Sequence, residues 1–394
     1  MPAPSNLSVQ VLRRGLIPTA VLALLLVAVT WGKSSGRELA VAVPVFCLLY
    51  GSLFTLGQEA IAARLREWIG GHTGRALALP VALIVLLYTY CAVGGGNPLQ
   101  RSGLMLPSLL LLPVLLCHQA QEKGRPIGDR DLACLILFLV PLPALHLPVS
   151  AEIPFGGGGF DSATRVVMIV VGVYAFVVMR GLAEVGAVVA PRWRGLATTM
   201  AVWLAFFGLC FVVASATGFV TYVGYEPMTV AAMRDGVRHF LRILLHTALF
   251  EELFFRGLLQ NMVAQRIAQA GKWRVVWRVG LAVLLPIALG AGFTLGGAFG
   301  WLPAAVCCAL FGAAYLLERR GRERVGTYTA LALVGNTFGL VHYHAGSLVF
   351  VALAMVAGWA YGYLYLRTRN LLYPVLLHTL INSSPMFFGL ALVK

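Results

Sequence analysis

Apolar runs of about twenty residues recur from one end of this chain to the other, separated by short connectors that hold most of its arginines. Such a run crosses a hydrocarbon core of about 30 Å as a helix, which closes its own backbone hydrogen bonds where water is missing. A membrane β-barrel would alternate polar and apolar residues over strands of about ten, whereas stretches such as 21–29 are continuously apolar. Composition agrees: 59% of the 394 residues are hydrophobic and 11% charged, against about 25% charged in an average soluble domain. The expected fold class is all-α, a polytopic transmembrane helix bundle.

Crossings are expected to begin near residues 16, 39, 76, 103, 132, 166, 196, 237, 279, 301, 325, 347 and 371, about thirteen in all with a range of ten to thirteen. Basic connectors (Arg13 and Arg14, Arg64 and Arg66, 123–130, Arg192 and Arg194, 266–278, 319–324, Arg367 with Arg369) alternate with poorer ones at 151–165 and 300–303. This asymmetry puts the N-terminus in the cytoplasm and the C-terminus outside. Residues 59–68 interleave charges with apolar side chains and read as an interfacial amphipathic helix, while 156–159 is four glycines and reads as a flexible loop.

The net charge of +15 sits in these connectors, so it speaks for topology and contact with anionic lipid. No nucleic-acid partner is expected, because no aromatic-interleaved basic patch accompanies the charge. The seven cysteines lie in or beside apolar segments without CxxC spacing and read as packing residues. Arg13 and Arg14 precede a retained first span and not a cleaved leader.

Polar residues concentrate at three places inside the apolar runs. The eighth run contains Leu249-Phe250-Glu251-Glu252-Leu253-Phe254-Phe255-Arg256. Each charge there costs about 2.5 to 3.5 kcal/mol on insertion scales, so something must offset it. On a helix Glu252 and Arg256 share a face and pair most simply, while Glu251 points about 100° away and is left for general-base work. Phe338-Gly339-Leu340-Val341-His342 closes the eleventh run, with His344 two residues on. His378-Thr379-Leu380-Ile381-Asn382 lies in the last run, with both polar groups on one face. A lone buried Glu or His more often ties helices together. Three spans that each turn such groups inward can instead build a hydrated polar pocket.

The order EExxxR, FxxxH, HxxxN, with the Gly-rich stretch Ala357 to Gly362 and the connector Arg367-Thr368-Arg369-Asn370-Leu371, resembles the CPBP family of intramembrane proteases, named for CAAX proteases and bacteriocin-processing enzymes. The resemblance covers about residues 237–391. It implies an intramembrane endopeptidase in which Glu251 and His342 activate a water, Glu252, Arg256 and Phe338 organise the site, and His378 and Asn382 stabilise the oxyanion. A carboxylate base, an imidazole and an amide donor are the parts such hydrolysis needs without a covalent intermediate. Ser383 and Ser384 lack a Gly-x-Ser-x-Gly elbow and read as packing residues. No cofactor is expected, although Glu251, His342 and His378 are also a plausible zinc set, against which stands the lack of an HExxH helix.

Two departures from the family pattern stand out. The excess between Arg256 and His342 reads as an inserted helical hairpin at about 279–317. And a span starting at Val325 carries His342 near the outer interface while His378 lies nearer the cytoplasmic side, so one span must start differently, tilt or break near Gly335 or Gly339. The expected organisation is 1–200 as an N-terminal multi-span region whose role the sequence does not give, and 201–394 as the protease core. Expected partners are the lipid bilayer and a membrane-anchored peptide or lipid-modified protein substrate. The preference for arginine over lysine points to a bacterial inner membrane. The rival class is a proton- or ion-coupled transporter, which would spread its charges over unrelated spans; an inactive immunity or scaffold protein is a third.

Overall fold

The computed structural model describes residues 9, 12–32, 34–93, 101–120, 126–139, 163–224 and 229–393; the glycine loop at 156–159 lies outside them. The chain forms two compact units, Met1–Ala190 with Leu245–Leu253, and Pro191–Leu244 with Phe254–Lys394. A short piece of the first motif helix groups with the N-terminal unit.

In the first unit α1 (Ile17–Thr30) follows a wider-wound turn (Leu12–Leu16). Then come α2 (Gly36–Leu56), α3 (Glu59–Ile69), α4 (Thr73–Val93), α5 (Arg101–Gln119), α6 (Asp129–Leu139) and α7 (Ala163–Val173). A capping box starts α2: Glu38 N–H donates to Ser35 Oγ at 3.2 Å and Ser35 N–H donates to the Glu38 carboxylate at 2.7 Å. From Val166 on, α7 is apolar all round and buried at every residue, while Arg165 at its start is exposed, as a helix enclosed by its neighbours over that length must be. It packs against α2, α4 and α5 and runs on as Tyr174–Met179 with i→i+5 winding, closed by Arg180 N–H on the Ala175 carbonyl.

At that end a buried ion pair ties the segment to α6. Arg180 Nε donates to Asp131 Oδ1 at 2.6 Å, and its Nη2 donates to Oδ2 and to the Pro126 carbonyl, each at 3.2 Å. Both side chains are about 5% exposed. Removing one partner of such a pair costs about 3–5 kcal/mol. Asp131→Ala is therefore expected to lower the melting temperature of the purified protein by several degrees, and an unchanged melt would contradict this role. All seven cysteines are free thiols, with Cys117 and Cys134 in contact at 3.9 Å.

The second unit holds α8 (Trp193–Ala216), a two-stranded antiparallel sheet of β1 (Val220–Tyr222) and β2 (Leu390–Leu392), and α9 (Val230–Arg242). The helical run from α9 continues through Ile243–Ala248, α10 (Leu249–Glu252) and Leu253–Gln260 to α11 (Asn261–Ala270), and within it the chain leaves and re-enters this unit. α12 (Trp273–Leu295) and α13 (Leu302–Arg319) follow and pack on each other. α14 (Thr327–Leu340), a 3-10 turn (Val341–Ala345), α15 (Leu348–Thr368) and α16 (Leu372–Phe387) complete the unit. Phe311, Leu331 and Met355 join hairpin, α14 and α15 in one core, and Trp277 Nε1 donates to the Phe311 carbonyl at 2.8 Å.

Each expected crossing begins at or near a helix. Seven helices among the described residues are long and apolar enough to cross a membrane: Arg13–Thr30, Gly36–Leu56, Thr73–Val93, Trp193–Ala216, Trp273–Leu295, Leu302–Arg319 and Leu348–Thr368. The motif-bearing helices are not among them. α14 has 14 residues, about 21 Å at 1.5 Å per residue, well short of the hydrocarbon thickness. The chain is an all-α integral membrane protein.

Candidate active site

In the second unit three motif side chains, Arg256, His342 and His378, meet around one ring, Phe338, which is 3% exposed on the last turn of α14. The Arg256 guanidinium, fully buried, lies over its face at 4.5 Å from the centroid. The same guanidinium is 5.6 Å from the Phe255 and Tyr361 rings. A desolvated cation over several aromatic faces gains about 2 kcal/mol or more, which offsets part of the cost of burying it.

His378 meets Phe338 edge-on at 5.9 Å and stacks on Tyr361 at 4.8 Å with 11° between the planes. His342 is tilted against Phe338 at 4.8 Å, and its Nδ1 lies 2.7 Å from the Phe338 carbonyl. That contact assigns the proton to Nδ1, because a carbonyl only accepts, and so leaves Nε2 as the basic nitrogen. His342 is half-buried in the 3-10 turn, edge-on to Phe350 at 5.6 Å. His344 stacks beyond it at 6.0 Å but is exposed.

Phe338 brings the second and third motifs together through packing. α14 is unbroken at Gly335 and Gly339, and the expected break comes after them, where the helix gives way to the turn at Val341. Both glycines serve close approach instead. A Cβ on Gly335 would sit 3.1 Å from the Trp359 nitrogen, and one on Gly358 would sit 2.7 Å from the Gly335 carbonyl oxygen. With α14 and α15 in backbone contact, Phe338, one turn before His342, meets both His342 and His378.

Glu251 and Glu252 belong to the first unit, Glu252 fully buried and Glu251 half-buried. The sequence reading gave the whole motif α-helical pitch. Leu253–Gln260 is instead wound i→i+5, so a four-residue step falls just short of a turn there. Asn382 follows His378 by one turn on α16 but is exposed, and the ring cluster does not include it. Ser384 is structural as expected: its hydroxyl donates to the Leu380 carbonyl at 2.6 Å and accepts from Trp203 Nε1 at 3.1 Å.

Tyr361 and Phe255 were not among the expected site residues. The stretch 357–362 signals helix packing through its glycines, and the stacking of Tyr361 on a residue 17 positions later has no local signature. Among the described residues no group of three or more His, Cys, Asp or Glu side chains is placed to hold a metal ion.

Fold and site together define an integral membrane helix bundle with a buried arginine, ring and histidine centre in its C-terminal part. Residues 234–322 and 316–384 match the family model described as type II CAAX prenyl endopeptidase Rce1-like. This stretch, 234–384, is thus similar to the CAAX protease family. No curated protein and no solved structure matches it.

Proposed function

We propose that this chain is an intramembrane endopeptidase that hydrolyses a peptide bond of a membrane-anchored or lipid-modified protein. The family match supports a CAAX-type membrane endopeptidase in general. The observation that carries the finer reading is the array of His342 and His378 around Phe338, with Arg256 across its face. Two imidazoles and a fixed cation in a water-poor centre serve charge that develops during acyl transfer.

In this reading Glu251 takes a proton from water as the water attacks the scissile carbonyl. His342 holds that water with Nε2, while its Nδ1–H stays on the Phe338 carbonyl. His378, held flat by Tyr361, donates to the tetrahedral oxyanion, with Asn382 as a second donor, and Arg256 with Glu252 keeps the ring array in place. Glu251 then returns its proton to the leaving amine. No covalent intermediate forms, and the site residues require no serine or cysteine. A bacterial inner membrane, with sorting tails or signal remnants as substrates, suits the arginine-rich composition.

The test is reconstitution of the full chain in liposomes with membrane-tethered peptides, reading products by mass spectrometry. Cleavage within the tethered segment is expected. Intact peptides, together with a proton flux that depends on Glu251, would favour the transporter instead. The Tyr361 stack gives a graded prediction. Tyr361→Leu frees the His378 ring and is expected to lower kcat roughly tenfold with KM little changed, since about 1.4 kcal/mol of transition-state stabilisation corresponds to that factor. A change confined to KM would contradict the assigned role of His378.

A further inference from the structure

The second unit carries a row of arginines that the ring cluster does not use. Arg234, Arg238 and Arg242 follow one another at i, i+4 and i+8 on α9, so they form one row about 12 Å long at 1.5 Å per residue. The acidic residue of the helix, Asp235, has a carboxylate oxygen 3.7 Å from Arg238 Nη2. Three arginines against one carboxylate leave α9 with a net charge of +2.

Packing fixes which way the row faces. A Cβ on Gly236 would lie 3.5 Å from Met386 Cε, and the Phe240 ring lies 6.5 Å from that of Phe387, so the Gly236 and Phe240 side of α9 rests on the last turn of α16. With about 100° between successive residues, the arginine row points about 180° away from that side. A third strip, Val230, Met233 and Val237, lies about 90° from both and is exposed at 82%, 58% and 40%. Asp235 and His239 stand opposite this apolar strip and are exposed as well.

The level of α9 in the membrane follows from its neighbours. α8, long and apolar enough to span, ends at Ala216. β1 begins four residues later and pairs with β2, which begins three residues after the end of α16. The last turn of α16 therefore lies where α8 leaves the hydrocarbon, and α9 lies beside it. At that boundary a helix with an apolar flank and a row of arginines lies flat, its apolar side chains among acyl chains and its guanidiniums among phosphates. The same three charges held within hydrocarbon would be costly.

We propose that α9 binds anionic phospholipids, those whose headgroup phosphate has no compensating amine. Val230, Met233 and Val237 enter the acyl layer, and Arg234, Arg238 and Arg242 donate to phosphate oxygens, with the paired N–H groups of each guanidinium suited to two oxygens at once. A zwitterionic headgroup brings its own cation to the row and loses most of the attraction, so the surface separates the two lipid classes by net charge.

The test is hydrogen–deuterium exchange of the full-length protein in lipid nanodiscs, read by mass spectrometry on peptides covering 230–242. Amides of α9 are expected to exchange at least tenfold more slowly in discs containing phosphatidylglycerol than in discs of phosphatidylcholine alone. A bound partner suppresses local opening, and each arginine near an anionic surface contributes a factor of roughly five. Replacing Arg234, Arg238 and Arg242 together by glutamine, also a good helix former, should erase the difference, whereas Asp235→Asn should keep it. Arg242→Gln alone, at an exposed position, should shrink the difference severalfold and does not depend on the triple variant folding. Equal exchange of wild type in the two lipids, or a difference that survives in these arginine variants, would overturn the proposal. So would equal protection in phosphatidylcholine discs on adding glycerol phosphate or polyglutamate, which would make the partner a soluble phosphate or an acidic peptide.

Discussion

Glu251→Gln is expected to lower peptide cleavage by about 10²–10⁴-fold, the usual contribution of a positioned general base, while the protein purifies and melts as wild type does. The amide matches the carboxylate in shape and accepts hydrogen bonds but cannot take a proton from water. Glu252→Gln tests the other half of the motif. Glu252 is fully buried and Glu251 is not. Loss of the Glu252 charge is therefore expected to lower thermal stability together with activity, whereas Glu251→Gln lowers activity alone. Both are measured by cleavage of a tethered peptide beside a melting curve on the same preparation. Retention of more than a tenth of wild-type cleavage by Glu251→Gln would show that the base lies elsewhere.

The second large effect is structural. A Cβ on Gly339 would lie 2.2 Å from Met355 Cγ, 2.6 Å from the Met355 nitrogen and 2.7 Å from the Val351 carbonyl oxygen. Two of those atoms are backbone, so α15 must move away from α14. Overpacking of this kind costs about 1–3 kcal/mol for small additions and more for larger ones. Gly339→Val is expected to exceed that range, to lower the melting temperature by ten degrees or so, and to lose cleavage as Phe338, one residue earlier, is displaced. Gly312→Ala is the control. It is helical, its added Cβ meets nothing within 4 Å, and alanine favours a helix over glycine by about 1 kcal/mol. Its stability should hold or rise, and an equal loss in both variants would contradict the close-approach account.

The helices were legible because a bilayer leaves the backbone few choices, and each apolar run had to close its own hydrogen bonds. The two helices α12 and α13 were legible for the same reason, since both are long and apolar. The motifs were legible because charge inside apolar sequence is rare. Which side chains meet was harder to read. Sequence does not show that α14 stops at Leu340 or that glycine contacts draw it onto α15, the packing that lets Phe338 meet both His342 and His378. Local winding was equally hidden: 3.6 residues per turn was assumed across Leu253–Gln260, where the chain is wound i→i+5. The place of Tyr361 depends on a contact between α15 and α16, and the exposure of Asn382 on how far along α16 the packing extends; neither leaves a mark in spacing.

The central claim is that this chain hydrolyses peptide bonds in the membrane with its own side chains as acid, base and oxyanion donors. The most direct measurement is cleavage of a membrane-tethered peptide by the wild-type protein in liposomes, before and after exhaustive treatment with a metal chelator. The account predicts cleavage at the same rate in both. Cleavage lost on chelation and restored by added zinc would contradict it.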